Sequence, residues 1–151
     1  MLAPTNQPTN QPTNQPTKVK EPFMIAIVDD DPEIVDALKT WMEMLGRTTT
    51  VHGSGEQLLA WLQSNHNSAD DLGNKNYPLT AAILDVNLPG INGIQLARKL
   101  RGKFPALPIV LVTALQQDEV NALGSLPLGV SFVRKPFDLD VIEDILFQSL
   151  N

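Results

Sequence analysis

The sequence predicts an α/β fold built on a parallel sheet, and three observations carry that reading. Four short apolar runs stand out: Met24-Ile25-Ala26-Ile27-Val28, Ala81-Ala82-Ile83-Leu84, Ile109-Val110-Leu111-Val112 and Ser131-Phe132-Val133-Arg134. Runs this short, separated by helical stretches, read as strands buried on both faces. Each run ends on a polar residue: the Asp29-Asp30 pair, Asp85, Thr113 and Lys135. Ligands of open α/β sheets bind just beyond the carboxyl ends of the strands. The fold reading therefore gathers carboxylates, a hydroxyl and an ammonium at one edge.

The elements follow in order. After the first strand, Asp31 caps a helix whose first position is Pro32. Ile34, Val35, Leu38, Trp41, Met42 and Leu45 give it one apolar face, and Gly46 ends it. Arg47 to Val51 reads as a threonine-rich edge strand. Ser54-Gly55-Glu56-Gln57 reads as a capping box opening a second helix, with Leu58, Leu59 and Leu62 inward. The polar segment from Asn65 to Pro78 is a long loop or a frayed helix end. Strand three ends at Asp85, the turn Asn87-Leu88-Pro89-Gly90 follows, and Ile94, Ala97 and Leu100 mark a third helix. Pro108 opens strand four, and a weaker helix spans roughly Asp118 to Leu123. After strand five, Asp138 caps a last helix with Val141, Ile142, Ile145 and Leu146 on one face. Strand-helix alternation repeated five times predicts helices on both faces, joined by right-handed crossovers.

The first twenty-two residues differ in kind. Pro4-Thr5-Asn6-Gln7 recurs at Pro8 and Pro12 and begins again at Pro16-Thr17. With no apolar periodicity, this segment is expected to be disordered, as a spacer or a docking segment. The chain carries −6, and the tail's Lys18, Lys20 and Glu21 leave −7 on the remainder. Such acidity argues against direct nucleic-acid binding. The local basic run Arg98-Lys99-Leu100-Arg101-Gly102-Lys103 reads as a solvated helix end. No cysteine is present, so disulfides and thiol nucleophiles are excluded. No apolar stretch suits a leader or a membrane span, and a cytoplasmic location is compatible with this.

Taken singly, an aspartate after a strand is a cap or turn former, Thr113 a strand residue and Lys135 a surface lysine. Together they hold chemistry. Clustered carboxylates repel unless a cation compensates, and Mg²⁺ suits carboxylates, waters and phosphate oxygens. His52 and His66 fall off the expected strand tips, so a histidine-rich metal site is not expected. Asp85 is the candidate nucleophile toward a phosphoryl group. Lys135 would supply a second positive clamp, and the Thr113 hydroxyl could donate to a phosphoryl oxygen.

These motifs, Ile27-Val28-Asp29-Asp30, Leu84-Asp85, Val112-Thr113-Ala114 and Lys135-Pro136-Phe137, stand in this order on successive strand ends. From Phe23 to about Leu150 the sequence resembles the receiver domain of two-component response regulators. The resemblance implies a single doubly wound, flavodoxin-like (βα)5 domain over 23–150, with sheet order 2-1-3-4-5. It implies Asp85 as phosphoacceptor, Asp30 as direct Mg²⁺ ligand, Asp29 through water, and the Asn87 backbone carbonyl on the metal. Lys135 would contact the phosphoryl group, Thr113 would be the switch hydroxyl and Phe132 the aromatic switch. Lys135-Pro136 would be a cis-proline turn, and Pro89 and Gly93 match the turn and helix start after the acceptor. Three features depart from the pattern. The Asp29-Asp30-Asp31 triplet admits a one-residue shift of the metal pair, although Asp31-Pro32 makes a good cap. The Asn65-to-Pro78 segment is long. The run Ala122-Leu123-Gly124-Ser125-Leu126-Pro127 is unusual before strand five.

The function implied is a Mg²⁺-dependent phosphoacceptor switch rather than an enzyme. It would be served by a sensor histidine kinase or histidine phosphotransfer domain and read by a downstream protein. The chain ends one helix after Lys135, which suggests a stand-alone receiver. Two other classes stay open: a Mg²⁺-dependent phosphohydrolase with Asp85 as nucleophile, and a non-phosphorylated interaction module. The hydrolase reading is weakened by Asn87, which cannot transfer protons where a general acid would stand.

Overall fold

The computed structural model describes residues 24–65 and 79–148. The repeat tail, the expected 65–78 segment beyond Asn65 and the last residues lie outside them. Five strands, β1 Met24–Val28, β2 Thr48–His52, β3 Ala81–Asp85, β4 Ile109–Thr113 and β5 Val130–Arg134, form one parallel sheet in the order β2-β1-β3-β4-β5. The helices are α1 Pro32–Met44, α2 Gly55–Asn65, α3 Gly93–Lys103, α4 Gln117–Ala122 and α5 Leu139–Gln148. β3 and β4, paired on both sides, are buried at every position. That is why their sequences lack polar alternation.

Alternate strand residues feed two apolar layers. Ile25, Ile27, Ala81, Ile83, Val110 and Val112 pack under α1 and α5. Ala26, Val28, Ala82, Leu84, Ile109 and Leu111 pack under α2, α3 and α4. Leu38 and Met42 anchor α1 in the first layer, and Leu96, Ala97 and Leu100 anchor α3 in the second.

Local signals set the helix ends. The Asp31 side chain accepts from Glu33 N at 3.0 Å, with Pro32 in the first turn. Gly46, at φ +80°, closes α1: its N–H bonds Glu43 O at 3.0 Å and the Arg47 N–H bonds Met42 O at 2.9 Å. This paired arrangement satisfies carbonyls the helix leaves open. Asn92 and Gln95 form a reciprocal box at the start of α3.

Four expectations need correction. β2 runs from Thr48 to His52, one residue later than expected, so His52 ends a strand. Its ring is engaged elsewhere, with Nε2 2.9 Å from Thr50 Oγ1 and the face near Trp61. The box at Ser54 is split: Gln57 N donates to Ser54 Oγ, but the Gln57 side chain accepts from Gly53 N. α4 spans Gln117–Ala122 rather than Asp118 to Leu123. Val141 is 43% exposed, because a turn of about 100° per residue carries it off the Ile142 face.

After the six-residue α4, the segment to β5 is held by arginines of α3. Arg98 Nη2 donates to Ser125 O at 2.7 Å. Arg101 donates to Leu128 O at 3.1 Å, and to Phe104 O, Pro105 O and Leu107 O at 3.2, 3.0 and 2.7 Å. Arg101→Ala is therefore expected to cost about 2 kcal/mol in urea unfolding, on the scale of charge-assisted hydrogen bonds. Lysine should not restore the loss, because one ammonium cannot replace a planar fork serving two loops. A loss below about 0.5 kcal/mol would show that water replaces these bonds without penalty.

Candidate functional site

The sheet register brings the strand tips together. Val28 pairs with Leu84, so Asp29 and Asp85 leave adjacent strands side by side. Asp29 is 3% exposed, and its amide is fixed by His52 O at 3.2 Å. Its Oδ1 accepts from Asp31 N at 2.9 Å and its Oδ2 from Lys135 Nζ at 3.1 Å. Asp85 is 6% exposed. Its Oδ1 accepts from Asn87 N at 3.3 Å and its Oδ2 from Lys135 Nζ at 3.4 Å. Lys135 is aimed inward from the end of β5, where its N–H bonds Thr113 O at 2.7 Å and the Lys135–Pro136 peptide is cis.

One ammonium thus bridges two buried carboxylates, and the balance is uneven. Burial pushes the Asp85 carboxyl up from 3.8 to about 6; Asp29 adds to the rise, and Lys135 and the Asn87 amide oppose it. Burial alone would lower the Lys135 ammonium, but its bonds and attraction to Asp29 and Asp85 outweigh that and raise it. The exposed Asp30 completes a group whose carboxylate oxygens, one from each of Asp29, Asp30 and Asp85, lie within 4.8 Å of one another. An all-oxygen donor set with an excess of negative charge fits a hard divalent cation such as Mg²⁺.

The remaining expected residues take distinct places. Thr113 is fully buried at the tip of β4, and its Oγ1 accepts from Leu115 N at 3.0 Å. The Asn87 side chain is exposed while its amide rests on Asp85. Phe132 is half-buried on β5, against the layer that includes Leu111 and Val120. The Asp31 side chain caps α1, and the acidic group that could hold a metal ion is made by Asp29, Asp30 and Asp85.

Two supports were not visible as such in the sequence. Gly93 packs where a Cβ would overlap the Asp85 carbonyl oxygen and stand 2.8 Å from Val86 Cα. Glu56, expected only near a helix cap, accepts from Ile91 N at 3.0 Å, across 35 residues. It thereby ties the loop after Asp85 to α2.

Comparison with known proteins agrees with this geometry. The response regulator receiver domain family matches residues 25–147. Response regulator GtcR of Aneurinibacillus migulanus is 30% identical over 76% of this chain and 42% of its own length. The TorCAD operon transcriptional regulatory protein TorR of Escherichia coli O157:H7 is 32% identical over 78% of this chain and 46% of its own length. The chain thus spans about half the length of the curated relatives it matches. Among solved structures, a CheY-like receiver domain protein from Methanospirillum hungatei JF-1 superposes with TM-score 0.67 at 25% identity, covering 86% of this chain and 98% of that one. The response regulator TrrA from Thermotoga maritima, in complex with Mg²⁺ and BeF, gives TM-score 0.63 at 26% identity, over 83% and 97% of the two chains. With the family matched across most of its length and the acidic strand-tip site in place, this chain belongs to the response regulator receiver domains.

Proposed function

We propose that Asp85 accepts a phosphoryl group from phosphohistidine, presented by a sensor histidine kinase or a histidine phosphotransfer domain, and that the modified chain signals to a downstream protein. The observation that supports this most is Lys135 reaching two carboxylates, 106 and 50 residues away in sequence, at one strand edge. A carboxylate oxygen of Asp85 attacks phosphorus, the phosphorus–nitrogen bond breaks, and the imidazole leaves with the electron pair and takes a proton. The product is an acyl phosphate on Asp85. Lys135, already within reach of Asp85, turns its ammonium to the added phosphoryl oxygens. Asp29, Asp30, Asp85 and the Asn87 carbonyl would hold Mg²⁺, which supplies neutralisation of the phosphoryl charge. The Thr113 hydroxyl would leave its contact with the Leu115 amide to donate to the phosphoryl group. That movement opens space toward which Phe132 can turn, a two-state packing change of the face formed by α4, β5 and α5.

The test is intact mass after incubation with Mg²⁺ and acetyl phosphate, for wild type and Asp85→Asn. One added phosphoryl group in the wild type only, prevented by EDTA, is the expected result. No adduct and no consumption of donor would overturn the proposal in favour of a non-phosphorylated module. Steady phosphate release, with no adduct trapped on rapid quenching, would favour a hydrolase.

A further inference from the structure

The connection between β2 and α2 touches both halves of the acidic site, and the chemistry above does not use it. At one end, His52 O accepts from the Asp29 amide at 3.2 Å. At the other, in the first turn of α2, the Glu56 carboxylate accepts from Ile91 N at 3.0 Å, in the loop that follows Asp85. Asp29 and that loop leave the sheet from paired strands, β1 and β3. One short connection therefore grips the chain on both sides of the site.

Three observations mark Glu56 as more than an acid at a helix start. First, its side chain is not needed to cap its own helix. Ser54 Oγ accepts from Gln57 N at 3.2 Å, and the Gln57 side chain accepts from Gly53 N at 2.8 Å. Second, the loop is shaped to admit it. Gly90 has φ +74°, and a Cβ there would overlap the Glu56 carboxylate oxygens. Third, α2 and the loop approach closely beside it. Gly55 is buried, and a Cβ there would stand 2.8 and 2.9 Å from Ile91 Cγ1 and Cδ1.

Other bonds of this loop close it on itself or on the end of β3. Leu88 N and Gly93 N both donate to Val86 O, at 3.1 and 2.8 Å, and Asn87 N donates to Asp85 Oδ1 at 3.3 Å. Glu56 instead reaches the loop from a second helix. We infer that Glu56 is a positioning residue for the divalent cation. By holding Ile91 it fixes the loop that carries the Asn87 carbonyl, at a set distance from Asp29 and Asp30. The inference rests on the receiver reading for that carbonyl as a ligand. Glu56 acts here as a hydrogen-bond acceptor and not through its charge. It is exposed, so its removal leaves the Ile91 amide to water and the fold intact. What is lost is order in the loop before the cation arrives, and that order must then be imposed on binding.

The test is Mg²⁺ binding to the unphosphorylated full chain, followed by the amide resonances of Asn87 and Ile91, together with the Mg²⁺ dependence of phosphorylation by acetyl phosphate. Glu56→Ala is expected to raise the Mg²⁺ dissociation constant about tenfold, the lower end of the range for residues that orient metal ligands. The Mg²⁺ concentration for half-maximal phosphorylation should rise by the same factor, while the rate at saturating Mg²⁺ stays within about twofold of wild type. Glu56→Gln keeps an acceptor oxygen and removes the charge, so it should bind Mg²⁺ within about twofold of wild type. Gly90→Ala should weaken Mg²⁺ binding by displacing the Glu56 carboxylate. The double variant Glu56→Ala, Gly90→Ala should then fall within about twofold of the weaker-binding single variant, because the two changes break one contact. Equal Mg²⁺ affinity in Glu56→Ala and wild type would overturn the inference. So would equal losses in Glu56→Ala and Glu56→Gln, which would reduce the effect to charge, or fully additive losses in the double variant. If the wild type binds Mg²⁺ but gains no phosphoryl group, the acceptor reading fails while the affinities still decide the role of Glu56. No Mg²⁺ binding by the wild type would overturn both.

Discussion

Gly93→Ala is expected to lower the free energy of unfolding by about 3 kcal/mol, the upper part of the range for forced overpacking. The cause is a close approach of backbone, not a special dihedral. The added methyl would overlap the Asp85 carbonyl oxygen and lie 2.8 Å from Val86 Cα. Neither atom can rotate away, because the Val86 N–H donates to Val112 O at 3.0 Å, and Val86 O accepts from Gly93 N at 2.8 Å. Relief must come from shifting α3 or the end of β3, and the end of β3 is Asp85, the proposed acceptor. The variant should therefore lose phosphoryl acceptance from acetyl phosphate even in its folded fraction. Gly102, in the same helix, has nothing within 4 Å of an added Cβ. Gly102→Ala should be neutral or stabilising by up to about 1 kcal/mol. Matching urea midpoints for the two variants would refute the close-approach argument.

Asp85→Asn is expected to stabilise the protein at neutral pH in the absence of divalent metal, by up to about 3 kcal/mol. In the folded chain burial, reinforced by Asp29, holds the Asp85 carboxyl at about 6 against 3.8 for the ordinary group. Each unit of such a shift is worth about 1.4 kcal/mol. The sign follows from proton uptake. Between 3.8 and about 6 the folded state binds more protons than the unfolded state at this residue. Its contribution to stability therefore falls as pH rises through that window, and the full penalty stands above it. The asparagine variant escapes the penalty, so the gap should be widest near pH 7.5 and vanish below about pH 3. Carboxylates that do not face Asp85 act alike in both proteins and cancel in the difference. Added Mg²⁺ should stabilise the wild type and narrow the gap. Thermal unfolding of the pair across pH, with EDTA or Mg²⁺, reads all of this. A wild type more stable than Asp85→Asn at pH 7.5 in EDTA would contradict it.

Much of the site was legible because the parallel sheet places polar residues where apolar runs stop. Asp29, Asp30 and Asp85 end runs that hold no other polar residue, Lys135 follows a run that holds Ser131 and Arg134, and the register then brings the four together. Thr113 was placed at its strand tip by the same rule, but its present partner, the Leu115 amide, is a loop detail no periodicity encodes. The β2 boundary slipped by one residue because Thr48, Thr49 and Thr50 share a side-chain type while differing in burial. Val141 lies next to Ile142 in an apolar run, and its exposure follows from the helical turn between adjacent residues, which composition alone does not resolve. Least legible were the long-range supports. Arg98 and Arg101 reach carbonyls 27 residues away, and a basic run at a helix end reads as solvated surface until the loop it grips is in place.

The Lys135 bridge also bears on the order in which the molecule is made. Its ammonium is synthesised 106 residues after Asp29 and 50 after Asp85. At about 5–20 residues per second, the acid pair, complete only once Asp85 is made, waits about 2.5–10 s for the counter-charge supplied by its own chain. Once β4 is made, its outer edge stays uncovered until β5 follows, since β5 is its outer neighbour among the described strands. Closure of the sheet and neutralisation of its acidic rim therefore wait on the same late-made segment, β5 and the lysine that follows it.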